Sequence, residues 1–211
     1  MSSLPAIILA AGMSQRMGTC KQTLLFDGKP LLAHLLEVLQ SVAEVSPVFV
    51  VTGRYWEEIA PILEAYKAVV VHNSDYEAGG MLSSIQTGVA ALPTNCQGFL
   101  LLLGDQPFVT SKVLKALIEA QKSSEASIVQ TAYEGKRGHP ILFRASCIPE
   151  ILALPPDATL KTLMTRHAED TLAVPVSRPT ILADIDTPAE YAEATRLFAT
   201  GGAGRANLPC E

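Results

Sequence analysis

Five short apolar runs punctuate the chain, at residues 6–9, 48–52, 68–71, 99–103 and 127–131. Most of them lack polar alternation, which is how parallel strands covered on both faces read. Between them the period changes. Over residues 30–42, Leu32, Leu35, Leu36, Leu39 and Val42 fall on one helical face, and residues 113–118 repeat that spacing in brief. Residues 54–66 predict a further helix, shortened or kinked at Pro61. Pro155-Pro156-Asp157 breaks the chain and caps another that runs to about His167. Strands alternating with helices in this way predict an open α/β sheet that takes its ligands at the C-terminal strand ends.

Turn chemistry supports the pattern. Asp27-Gly28 suits a tight turn, and Pro30 suits a first helical position. His34, which falls among leucines in the predicted helix, reads as a hydrogen-bonded helix histidine rather than a ligand. With 211 residues, 48% of them hydrophobic, the chain can bury one sizeable core. The predicted domain spans residues 1–200; residues 201–211, glycine-rich at their start, have the composition of a flexible tail.

A formal net charge of −5 gives no general attraction to nucleic acid or to an anionic membrane, so an anionic substrate has to be met by a local cluster of cations. The first residues carry no basic segment, and no apolar run approaches the roughly 18 to 20 residues of a membrane span, which predicts a cytoplasmic protein. Cys20, Cys96, Cys147 and Cys210 lie far apart without a C-x-x-C pair, so they read as reduced thiols.

Candidate chemistry concentrates where apolar runs end. After the first run come Leu9-Ala10-Ala11-Gly12-Met13-Ser14-Gln15-Arg16-Met17-Gly18, then Lys21. Small residues let a ligand approach backbone N–H groups that bind phosphate oxygens; Ser14 adds a neutral donor, and Arg16 and Lys21 supply counter-charge. An ordinary strand-to-helix turn with surface cations is the competing account. The Lys-Ser ending of a Walker loop and the three-glycine dinucleotide fingerprint are both absent.

Four further stretches follow. In residues 73–85, glycines precede Ser83 and Ser84 at a helix start, where backbone and hydroxyl donors can meet a base or ribose; a simple capped helix would read the same. The run at residues 99–103 ends on Gly104-Asp105-Gln106-Pro107, placing a carboxylate at a strand mouth, where it can hold Mg²⁺ or act as an Asx-turn residue. Gly135-Lys136-Arg137-Gly138-His139-Pro140 is a basic, glycine-framed loop running into a short strand. Its cations and His139 can meet an anionic acceptor, or form a solvated hairpin turn. Lastly, in Asp184-Ile185-Asp186-Thr187-Pro188-Ala189-Glu190, a capped helix start explains Thr187, Pro188 and Glu190 but neither aspartate.

The pattern Leu-Ala-Ala-Gly-x-Ser-x-Arg-Met-Gly-x-x-Lys resembles the signature of the nucleotidyltransferases that use the nucleotide-diphospho-sugar transferase fold. Within them it resembles the molybdenum cofactor cytidylyltransferases, and the other stretches match in order and spacing from residue 9 to residue 191. The resemblance implies a single-domain, Rossmann-like three-layer α/β/α sandwich with a mostly parallel sheet. It also implies roles. Leu9, Ala10, Ala11, Gly12, Ser14, Arg16, Met17, Gly18 and Lys21 would bind the triphosphate of CTP, and Asn73, Gly80, Ser83 and Ser84 would lie at the base. Asp105 and Asp186 would hold Mg²⁺, Asp184 being the weaker candidate; Gln106, Pro107, Gly138, His139 and Pro140 would border the acceptor. Arg16, Lys21 and Asp105 would be catalytic.

On that resemblance, CMP would pass from CTP to the terminal phosphate of molybdopterin with release of pyrophosphate, and a molybdoenzyme or its maturation chaperone would be the downstream partner. Guanylyl transfer, cytidylyl transfer to a sugar or polyol phosphate, and a non-catalytic cofactor carrier are the alternatives. A carrier has no need of two metal-type aspartates and two loop cations.

Overall fold

The computed structural model describes residues 3–177 and 185–199. Strand β1 (Leu4–Ala10) is followed by a small hairpin, β2 (Leu25–Phe26) and β3 (Lys29–Pro30), and by helix α1 (Leu31–Gln40). Next come β4 (Val45–Thr52), α2 (Trp56–Ala65), β5 (Val69–His72), α3 (Gly80–Ala90), β6 (Gly98–Leu103) and α4 (Ser111–Lys122). The remainder comprises β7 (Ile128–Tyr133), β8 (Lys136–Arg144), α5 (Cys147–Leu152), α6 (Leu160–Arg166), β9 (Thr171–Pro175) and α7 (Pro188–Ala199).

Among the described residues, seven strands form one sheet in the order β5-β4-β1-β6-β8-β7-β9. Of these strands, β8 runs against its neighbours β6 and β7, and the other described adjacent pairs are parallel. Side chains alternate across the sheet, and both faces are covered at β1 and β6, which is why these strands read as unbroken apolar runs. The run at residues 68–71 differs, because β5 is an edge strand and leaves Val69 and Val70 exposed. Ala6, Ile8 and Ala10 face the leucines of α1 together with Ile59 and Leu63 of α2 and Leu114 and Leu117 of α4. Ile7, Val51 and Leu101 face Leu82, Ile85 and Val89 of α3, Ile151 of α5 and Leu163 of α6. The result is the expected three-layer α/β/α sandwich.

Its topology creates the crevice. From β1 the chain builds outward through β4 and β5, then returns by way of α3 to lay β6 on the other side of β1. The carboxyl ends of β1 and β6 therefore flank a topological switch point, where open α/β sheets bind ligands. Gly104 closes the distance at that point. Its N–H donates to the carbonyl of Leu9 at 2.9 Å, and a Cβ there would lie 2.9 Å from the same oxygen. Glycine alone lets the end of β6 come so near the end of β1, and Asp105 is set beside the first loop as a consequence.

A third apolar cluster, Phe26, Leu31, Phe108, Ile185 and Ala194, fastens α7 to the β2–β3 hairpin. Tyr191 reinforces it: its hydroxyl donates to the Leu25 carbonyl at 2.7 Å and its ring stands edge-on to Phe26. His34 Nε2 lies 2.6 Å from the Phe26 carbonyl, the helix-histidine role read from the sequence.

Three local expectations change. Helix α2 runs through Pro61 to Ala65 and is not shortened there. An interior proline costs about 3 kcal/mol, whereas burying Ile59 and Leu63 on either side of it contributes roughly 1.5–3 kcal/mol each. Packing therefore carries the helix across the break. The basic stretch at residues 135–138 is not a loop before a short strand. The turn narrows to Glu134 and Gly135, both at positive φ, and Lys136 already pairs with Tyr133 in a nine-residue strand. Helix α6 starts at Leu160 with Thr159 in the N-cap position, two residues beyond the predicted Asp157, and helix α5, six residues long, has too little sequence to show a helical period. Among the described residues, no helix is long and apolar enough to cross a membrane. Cys20, Cys96 and Cys147 are free, and Cys210 and the segment at 201–211 lie outside the described residues.

Candidate active site

The loop after β1 turns on Ser14, which has φ of +48° and whose carbonyl accepts from the N–H groups of Met17 and Gly18, both at 3.0 Å. The chain then enters a short 3-10 turn, Lys21–Thr23, in which Lys21 and Gln22 are both buried. From there Lys21 Nζ donates to Asp105 Oδ2 at 2.6 Å and to Asp186 Oδ1 at 2.8 Å. Arg16 donates to the other oxygen of Asp186. Residues from three remote segments thus meet at the switch point.

The electrostatics follow from the geometry. Burial on its own would lower the Lys21 pKa, but the two carboxylates, Asp105 foremost, outweigh it and hold the ammonium above its ordinary value. The hydrogen bond from Lys21 holds the Asp186 carboxyl below its usual range, burial opposes this, and the charges of Lys21 and Arg16 add to the lowering. Asp186 is placed from both sides. Ile185 before it is buried in the third cluster, and Glu190 after it closes a capping box: its Oε2 accepts from the N–H groups of Asp186 at 2.9 Å and Thr187 at 2.8 Å, while its own N–H donates to Thr187 Oγ1 at 3.3 Å. The predicted helix start is present as read. Asp184 lies outside the described residues.

A cavity of about 420 Å³ opens over this cluster, walled by Leu9, Ala11, Gly12, Arg16 and Lys21 of the first loop, Gly80 and Ser84 of α3, and Asp105 and Asp186. Met13, Gln22, Tyr76, Glu77, Met81 and Leu103 share the wall, and sequence reasoning did not single them out. An aromatic residue just before a glycine pair was the available signal for Tyr76. Gly53 locks that residue against the loop, since a Cβ there would meet the Ala11 carbonyl at 2.6 Å and the Tyr76 Cγ at 2.9 Å.

The other predicted residues sit differently. Asn73 is buried, and its Nδ2 donates to Ser83 Oγ at 2.9 Å and to Ser84 Oγ at 3.0 Å, so it orients the serines rather than facing the cavity. Ala10, Gln106 and Pro107 are buried, Met17 packs on the third cluster, and Gly18 edges a neighbouring hollow beside Arg54 and Tyr55. Gly138 pairs with Thr131 while Gln130 pairs with Ile141, which leaves His139 and Pro140 as the extra residues of a bulge in β8. The Nε2 of His139 is buried without a hydrogen-bond partner among the described residues, and burial pulls its pKa down to about 4. The imidazole is therefore neutral near pH 7. None of the residues from 138 to 140 belongs to the cavity wall.

The loop after β1 and two carboxylates thus meet beside one cavity at the switch point of a mostly parallel sheet. The chain belongs to the MobA-like NTP transferase family, whose domain matches it over residues 6–171. It is similar to a molybdenum cofactor cytidylyltransferase of Escherichia coli, with 27% identity over 202 residues covering 94% of this chain and 98% of that one. It is also similar to a probable molybdenum cofactor guanylyltransferase of Trichormus variabilis, at 29% identity covering 91% and 90%. A solved nucleotidyl transferase from Methanothermobacter superposes with a TM-score of 0.80 over 94% of this chain and 99% of that one, at 24% identity.

Proposed function

We propose that the protein transfers CMP from CTP to the terminal phosphate of molybdopterin, releasing pyrophosphate. The observation that carries this reading is the convergence of Arg16, Lys21, Asp105 and Asp186 at the floor of one cavity. The cytidylyltransferase likeness spans nearly the whole of both chains. Because a guanylyltransferase is comparably similar, overall identity does not choose the base. The choice of CTP rests on Ala10-Ala11-Gly12, which resembles the cytidylyl branch, with Ala11 contributing a methyl group to the cavity wall.

The chain's own residues do the following. The loop backbone and Ser14 bind phosphate oxygens, and Arg16 and Lys21 take up negative charge on the departing pyrophosphate. Asp105 and Asp186 turn oxygens toward one point, where Lys21 Nζ now stands as a cation, so a small hard ion fits the donor set. Mg²⁺ held by these two carboxylates would supply Lewis acidity at the reacting phosphate. No protein nucleophile or general base is needed, since the acceptor phosphate is already ionised near pH 7.

The test is turnover of purified protein with CTP and with GTP, using molybdenum-loaded and metal-free cofactor as acceptors and pyrophosphate release as the readout. Faster turnover with CTP is expected. Faster turnover with GTP would overturn the base assignment, and no pyrophosphate release with either would favour a carrier.

A further inference from the structure

The two cations that face phosphate and the two carboxylates that face metal are bound to each other in the free protein. Asp105 Oδ2 and Asp186 Oδ1 each accept from Lys21, and Asp186 Oδ2 accepts from Arg16. Three of the four carboxylate oxygens therefore carry a hydrogen bond from a cation, and the four charges cancel. The Lys21 ammonium stands where the two carboxylates converge, in a site where its side chain is 9% exposed. Nearby, the Ser14 hydroxyl is buried without a partner among the described residues.

We infer that Lys21 is a latch: it keeps the two carboxylates closed to a free divalent cation, and only a polyphosphate opens them by drawing Lys21 and Arg16 onto itself. This rests on the proposed function and adds to it an order of binding. A divalent ion arriving alone meets a like charge at its own site and a carboxylate pair that is already neutralised. A triphosphate offers the two cations new oxygens, and the freed aspartates then accept the metal. Arg16, with a side chain 68% exposed, can swing without disturbing the core. Metal and nucleotide thus enter as a unit, and each raises the affinity of the other, as linkage requires.

The experiment uses Mn²⁺ as the probe, read by the loss of the free-ion paramagnetic resonance signal, and inorganic tripolyphosphate as the polyphosphate, so that no base is involved. Wild type should bind Mn²⁺ alone weakly. Lys21→Met, which keeps the length of the side chain and removes its charge, should bind Mn²⁺ alone tighter by roughly tenfold or more, while Lys21→Arg should stay weak. Equal affinity of wild type and Lys21→Met for Mn²⁺ alone would overturn the latch. Should Lys21→Met fail to fold by circular dichroism, thermal unfolding of wild type decides. Mn²⁺ alone should leave the midpoint unmoved, and Mn²⁺ with tripolyphosphate should raise it beyond tripolyphosphate alone; a full rise with Mn²⁺ alone would overturn the inference. These readouts are independent of turnover. Transfer without metal–polyphosphate coupling would sink the latch and spare the function, and coupling without transfer would do the reverse.

Discussion

The crevice between β1 and β6 and the bulge in β8 both place polar residues where apolar strands end, and they treat them in opposite ways. In the crevice, charges separated by 84 to 170 residues in sequence are brought together and neutralise one another. In the bulge, Thr131 Oγ1 reaches the Pro140 carbonyl at 3.3 Å, but His139 Nε2 and Gln130 Oε1 are buried without partners among the described residues. An unmet polar atom of this kind costs about 1–3 kcal/mol. The first region is satisfied and yields only to a competing charged ligand; the second carries a deficit that a hydrogen-bonding ligand would relieve. Two motifs of similar prominence in the sequence are thus in different physical states before any substrate arrives.

The largest expected effect concerns the satisfied region. Asp105→Asn and Asp186→Asn should each slow transfer by about two to three orders of magnitude, because asparagine keeps the shape and gives up the charge. If both serve one metal, the double variant should be little worse than the poorer single one. Single-turnover kinetics across a Mg²⁺ titration checks this, and losses that multiply would mean that the crevice is two sites rather than one.

The bulge should show itself in acid. His139 has a folded pKa of about 4, below its ordinary value of 6.5. Between those values the unfolded chain binds a proton that the folded chain refuses, so the stabilisation is complete above about pH 6.5 and is lost as pH falls toward 4. The difference amounts to about 3 kcal/mol, at roughly 1.4 kcal/mol per tenfold change. Urea unfolding at pH 7 and pH 4.5 should show this loss in wild type and a smaller one in His139→Leu. An equal loss in both would place the imidazole in contact with water, and the contrast with the crevice would weaken.

The smallest effect separates fold from ligand within the first loop. A Cβ on Gly12 meets nothing within 4 Å, whereas one on Gly104 would press on the Leu9 carbonyl. Gly12→Ala should therefore leave thermal stability unchanged or raised by about 0.4–1 kcal/mol, through the unfolded chain, while weakening triphosphate binding in calorimetry. Unweakened binding would mean that the ligand does not approach the backbone at residue 12.

Much of the molecule is set by local pattern. Unbroken apolar runs specify strands, the leucine spacing of α1 specifies its buried face, and Thr187, Pro188 and Glu190 specify a helix start, because each depends on neighbours within a few residues. The loop after residue 9 and the glycine before Asp105 were legible as candidates for the same reason: a strand end, small residues and a charge are local features, and the structure brings both to one cavity. Tertiary structure decided what is not local. It carried α2 through Pro61 by burying Ile59 and Leu63, and it turned Asn73 inward to hold two serines. It brought Tyr76 against the first loop across Gly53, and it looped His139 and Pro140 out of a strand that the sequence showed as a turn. Above all it joined Lys21 to both Asp105 and Asp186. The sequence shows two cations and two carboxylates in separate segments, but which charge answers which depends on strand order and close packing, and those are long-range properties of the folded chain.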